Sequence, residues 1–225
     1  MTYDSTVGST NGDYFSRFTY NVNCDEIPMR YFNWAEPDMP DYVSFDTTST
    51  KNSREGSLAR LTAVRDVMAE NDVDAYVIPT ADAHNSQYIA PADARRVWLS
   101  GLQGSSGTVV VTATEALVWT DSRYFTQFEI QVNTEHFKLM RQGTDASIQS
   151  WLVDNMAQNS VVGIDPTTYT RTAWITLEAA LRAVNVTLKS TPQNLVDIAR
   201  ERIGDPAPNR PNDDLIPLNV NFTGE

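Results

Sequence analysis

Apolar positions between residues 57 and 204 follow two alternating spacings. The run "SLARLTAVRDVMAEN" repeats at the helical spacing, which places Leu58, Leu61, Val64 (or Arg65) and Met68 on one stripe with Ser57 as N-cap. "DAYVIP" (74–79) is a short apolar run ended by proline, the pattern of a strand. "RRVWLSGL" (95–102), "GTVVVT" (107–112), "ALVWT" (116–120) and "HFKLM" (136–140) read as further strands, with Ala113-Thr114-Glu115 turning between the middle pair. Helices are expected over 123–132, 144–158 and 170–184. "VVGID" (161–165) is another strand ended by proline, "VTLKS" (186–190) follows its helix, and "NLVDIARERI" closes the regular part. Strands alternating with amphipathic helices predict an α/β domain, and the 107–120 hairpin makes its β-sheet mixed rather than purely parallel.

The flanks are different. Residues 1–56 hold ten of the 22 aromatics, nine acids, four bases and prolines at 28, 37 and 40, with no sustained period. This is an acidic, aromatic-rich arm, expected to be irregular and partly docked through its rings, because free disorder is normally poor in aromatics. After Gly204, "DPAPNRPNDD" reads as a linker, and "LIPLNVNFTGE" begins an extended segment. The expected divisions are therefore 1–56, 57–204 and 205–225.

A net charge of −12 with no basic cluster argues against a nucleic-acid partner, which needs a basic surface. No apolar run is long enough to span a bilayer. The opening "MTYDSTVGSTNG" has neither the basic segment nor the apolar core of a signal peptide, although a mature secreted chain would also lack one. Cys24, the one cysteine, is either a reduced cytosolic thiol or a half-cystine with its partner elsewhere. Sequons at Asn185 and Asn221 are glycosylation candidates and tilt the reading toward secretion over a cytoplasmic location.

Few residues carry obvious chemistry. His84 follows a strand and has Asp82 two residues before it, but two ligands fall short of the three that a metal needs. The loop is expected to be shaped by Asp82 and Asn85 bonding to backbone, with His84 as a polar lining residue. His136 is read as structural or exposed. "GLQGSSG" (101–107) lacks the Lys-Ser/Thr pair of a phosphate loop and reads as a tight connection into the hairpin. Neither Cys24 nor any serine has an evident base. Arg123, in "WTDSRYFTQ", is different: it sits at the start of an expected helix, where the dipole disfavours a cation. Asp121 or Ser122 can cap that helix. Arg123 then either pairs with Asp121 or Glu129, or offers its fork of donors to a carbonyl or carboxylate of a ligand.

Several strings together resemble one family. "DAYVIPTADAHNSQYIAPADARRVWLSGLQGSSGTVVVT", "ALVWTDSRYFTQ" and "VVGIDP" are similar, in order and spacing, to the N-terminal domain of eukaryotic-type Xaa-Pro aminopeptidases (aminopeptidase P), and the likeness runs from about residue 57 to "NFTGE". The "TDSRY" form and the cysteine-bearing leader are closer to the secreted or membrane-anchored branch.

The resemblance implies a mixed-sheet α/β fold of the creatinase N-terminal type, with residues 205–225 as linker and the start of the family's second domain. It implies a non-catalytic domain contributing substrate binding and interdomain or dimer contacts. In the family a C-terminal domain holds two metal ions, usually manganese or else zinc, which cleave peptides with proline at position two. No catalytic or metal residue is assigned to this chain, and its partners would be such peptides and its own catalytic domain or another subunit. By resemblance Arg123 contacts the peptide beyond the proline. His84 and Tyr88 line the same cleft, and Arg95 and Arg96 line it or face another domain. The competing readings are a stand-alone binding module derived from a peptidase, and an unrelated small-molecule enzyme using Asp82 and His84.

Overall fold

The computed structural model describes residues 56–210. The arm up to Glu55, Cys24, the sequon at Asn221 and the tail from Pro211 lie outside the described residues. Regular structure comprises strands β1 (Ala75–Pro79), β2 (Thr108–Thr112), β3 (Ala116–Thr120), β4 (Lys138–Arg141), β5 (Val161–Ile164) and β6 (Thr187–Ser190). The helices are α1 (Ser57–Glu70), α2 (Arg95–Ser100), α3 (Phe125–Gln131), α4 (Ile148–Asn155), α5 (Arg171–Arg182) and α6 (Leu195–Arg202).

The strands form one sheet in the order β4-β3-β2-β1-β5-β6. β2 pairs antiparallel with β1 and β3, and the remaining pairs are parallel. The expected mixed α/β sheet is therefore present. One consequence matters for the site. The C-terminal ends of β1 and β3 and the start of β2 lie side by side at one end of the sheet.

The inner strands are apolar on successive positions because helices cover both faces. Tyr76, Ile78, Val109, Val111 and Val118 pack with Leu61, Val64, Val67 and Met68 of α1, Leu99, Phe128 and Leu195. Ala75, Val77, Val110, Leu117 and Trp119 face the other way, against Trp151, Leu152, Leu177 and Leu181. On this second face Trp119 meets Trp151 edge to face at 6.0 Å. Its Nε1 donates to the Ala146 carbonyl at 2.8 Å, so the buried indole is both packed and satisfied.

Several local expectations need correction. "RRVWLSGL" contains a helix, α2, not a strand. Its stop is Gly101, in the left-handed region at φ 78, whose N–H donates to Val97 O. The helix turns Arg96, Leu99 and Ser100 inward together, which alternation along a strand would not do. In α1 the buried stripe starts at Ser57 and continues through Leu61, Val64 and Met68, a closer fit to 3.6 residues per turn. Leu58 falls outside it and is 52% exposed. Ser57 is not the N-cap; Gly56 holds that position. The other helices are shorter than expected, and α4, α5 and α6 begin at their caps: Ser147, Thr170 and Asn194 each accept from a backbone N–H of the first turn.

Gly163 in β5 has no room for a side chain. A Cβ there would lie 2.8 Å from Val73 Cγ1 and 3.0 Å from Tyr76 Cδ2. Gly163→Ala is expected to destabilise the domain by about 1–3 kcal/mol through overpacking, read as a lower urea midpoint with an unchanged slope.

Candidate functional site

The β1–β2–β3 end of the sheet is organised around a buried arginine. Arg96 enters from α2, is 1% exposed, and donates to Leu102 O at 2.7 Å, to Gly104 O and to Thr80 Oγ1. These acceptors are neutral, and burial pushes the guanidinium down to about 10, still charged at neutral pH. Thr80 donates in turn to Gly107 O through Nα and Oγ1. Thr120 Oγ1 donates to Ser106 O at 2.9 Å. Loop 101–107 is thus tied by its carbonyls to the strands on both sides of β2.

Onto this loop packs the segment leaving β3. The Tyr124 ring packs against Gly104, where an added Cβ would come 2.6 Å from Tyr124 Cε1. Its hydroxyl accepts from Ser105 N and pairs with Ser105 Oγ at 2.9 Å. Gln103, Gln127 and Gln131 close the other side of the loop through mutual amide bonds.

Arg123 stands in a 3₁₀ turn, Ser122–Tyr124, that precedes α3. Asp121 accepts from Arg123 N at 3.1 Å and caps that turn. The same carboxylate receives Arg123 Nε and Nη2, each at 2.8 Å. The guanidinium also lies 5.1 Å from the Tyr124 ring centroid. The pairing is with Asp121; Glu129 approaches Arg141 instead, at 3.9 Å. This answers the placement of a cation at a helix start: the capping carboxylate balances it. The Arg123 bond holds the Asp121 carboxyl well below the usual carboxylate range, and Asp121 raises the guanidinium reciprocally. The Arg123 side chain remains 65% exposed, and Nη1 has no protein partner among the described residues. A carboxylate-braced guanidinium of this kind presents its free edge to an acceptor in a fixed orientation.

His84 and Tyr88 lie on the loop leaving β1, at the same end of the sheet as Arg123. Both are exposed, Tyr88 at 74%. Asp82 Oδ1 accepts from His84 N at 3.0 Å and Ser86 N at 2.8 Å, and these bonds, Ser86 first, lower its carboxyl. Asn85 has φ 52. Among the described residues no three His, Cys, Asp or Glu are grouped to hold a metal. None of Arg123's polar contacts reaches His84 or Tyr88. Arg95 and Arg96 diverge: Arg95 forks onto Asp197 at 2.9 and 2.8 Å, while Arg96 holds the loop. Asn185 is an exposed turn residue at φ 58, and His136 lies in the turn before β4.

Residue-level reading missed Tyr124, Ser105 and Thr80. The glycine pattern of "GLQGSSG" was the available signal, since a ring lying on backbone needs a glycine beneath it. A separate open groove of about 590 Å³, lined by Leu58, Thr62, Asp66, Arg202 and Ile203 among others, contains none of the candidate residues.

Residues 60–201 match the creatinase/prolidase N-terminal domain. Xaa-Pro aminopeptidase 2 of Homo sapiens is 39% identical over 185 residues, covering 82% of this chain and 26% of the relative. The rat protein of the same name is 39% identical over 165 residues, 73% of this chain and 24% of the relative. The chain thus spans about a quarter of the length of these curated relatives. Among solved structures, the X-prolyl aminopeptidase of Caenorhabditis elegans, described as a cytosolic enzyme with a di-nuclear active site, superposes with a TM-score of 0.68 at 37% identity. That superposition covers 75% of this chain and 29% of the nematode chain. The chain belongs to the creatinase/prolidase N-terminal domain family, with Xaa-Pro aminopeptidases among its relatives.

Proposed function

We propose that this chain is the non-catalytic N-terminal domain of a Xaa-Pro aminopeptidase-type metallopeptidase, and that Arg123 contacts the peptide substrate. The carrying observation is the braced, exposed guanidinium at the strand ends, where α/β sheets bind ligands. A peptide carbonyl or terminal carboxylate beyond the proline suits the free edge. An exposed Asp–Arg pair adds little to stability, so folding alone gives little reason for its geometry. His84 and Tyr88, exposed at the same sheet end, are proposed to line the cleft, and manganese or zinc would be held by a catalytic part beyond these residues. Interdomain or dimer contacts belong to the same reading, although the described contacts of Arg95 and Arg96 stay within the domain. The cytosolic description of the nematode relative supports a cytoplasmic location; secretion and glycosylation rest on the exposed sequon at Asn185 and on Asn221.

In an intact enzyme carrying this domain, Arg123→Ala should lower kcat/KM for Xaa-Pro peptides roughly 10- to 150-fold, the loss of one charge-assisted bond of about 1.5–3 kcal/mol. Stability should stay within about 0.5 kcal/mol, since the side chain is exposed. Unchanged kinetics would remove Arg123 from substrate binding.

The pH dependence is equally specific. Asp121 is shifted downward and Arg123 upward. Asp121's contribution is therefore complete above the ordinary carboxylate range of about 4 and is lost only as pH falls through its lower folded value. The wild-type to Arg123→Ala ratio of kcat/KM should be flat between about pH 5 and 9. A ratio that changes across that window would mean another titrating group controls the contact.

A further inference from the structure

We propose that residues 205–210 form a strap clipped to the domain, held as rigidly as the fold it crosses. The composition of this stretch reads as a linker, yet Asp205, Pro206 and Arg210 are each bonded to the domain. Arg200, 5% exposed, donates through Nε to Asp205 O at 3.2 Å and through Nη2 to Pro206 O at 3.3 Å. The Trp98 indole donates to Asp205 Oδ2 at 2.6 Å. That ring is flanked by the guanidinium groups of Arg200 and Arg60, 5.4 and 5.9 Å from its centroid.

The far end of the strap is held by a carboxylate clamp. Arg210 Nη1 and Nη2 each lie 2.7 Å from the two oxygens of Asp93. The Asp93 side chain is 3% exposed, and it also receives Arg95 Nη1 at 3.2 Å. A carboxylate this buried needs cationic partners, and Arg210 is one of two. The strap supplies the balancing charge for a group the domain cannot leave alone. Pro206 and Pro208 restrict the backbone between the two anchors and reduce the entropy lost on docking.

The anchors give the strap a direction. Asp205 is held at Trp98, within α2, and Arg210 at Asp93, just before α2. The strap therefore runs antiparallel to α2, from the end of α6 back toward the turn that follows the His84 loop. Read with the proposed function, the strap would set the attitude of this domain to whatever follows it. The strap stands on the contacts at Trp98, Arg200 and Asp93, and its test requires no catalysis.

The test is ¹⁵N relaxation of the 225-residue chain and its Arg210→Ala variant. In the unsubstituted chain the amides of Ala207, Asn209 and Arg210 are expected to show order parameters near those of rigid backbone, about 0.85. In Arg210→Ala, Ala207 and Asn209 should fall below about 0.6, with a shifted Trp98 indole signal and the remaining spectrum intact. Arg210→Lys, which keeps the charge but cannot span both carboxylate oxygens, should give intermediate values. Order parameters already below about 0.6 without substitution, or unaltered by Arg210→Ala, would overturn the strap. Neither result would bear on substrate contact by Arg123.

Discussion

The candidate end of the sheet depends on one buried cation, Arg96, bound to neutral oxygens. A guanidinium removed from water without a carboxylate is costly unless its donors are taken up, and here the loop carbonyls of Leu102 and Gly104 and the Thr80 hydroxyl do so. The requirement runs in both directions. Satisfying Arg96 curls residues 101–107 around its head, and the curled loop supplies the glycine surface on which Tyr124 lies. Tyr124 then orients the segment that carries Asp121 and Arg123. The position of an exposed cation in the turn after β3 therefore follows from the solvation of a hidden one on α2.

Two arginine–aspartate forks use this frame for different ends. Arg123 and Asp121 form theirs in the open, where it adds little stability but holds one edge of a guanidinium toward solvent. Arg210 and Asp93 form theirs with the carboxylate buried and shared with Arg95, where loss of a partner leaves charge unbalanced. The first suits ligand contact and the second suits attachment.

The architecture was legible because its strongest signals are local and repeated. The hairpin "GTVVVT" to "ALVWT" and the apolar runs ended by Pro79 and Pro166 identified four of the strands and the mixed sheet. "RRVWLSGL" misled because a six-residue helix is too short to display a period, and its β-like composition reflects burial on one side of α2. Gly101 was the overlooked stop. At the site, the Asx turn around Asp82 and the Asp121 cap could be read from residue type and spacing. The Arg96 network could not, since its acceptors are carbonyls, which every residue carries. Nor could the docking of 205–210, because Asp93 and Arg210 are separated by 117 positions. The role proposed for Arg123 came from family resemblance; residue chemistry alone left pairing and ligand contact both open, and the structure contains the Asp121 pair.

The central claim is that this domain serves a catalytic centre built from other residues of a longer protein. The most direct check is the mass of the native protein, detected through this domain on denaturing gels run with and without reductant. A reduced chain several times heavier than 25.1 kDa is expected. A single native chain near 25.1 kDa, in both conditions, would contradict that claim and make the domain a stand-alone binding module.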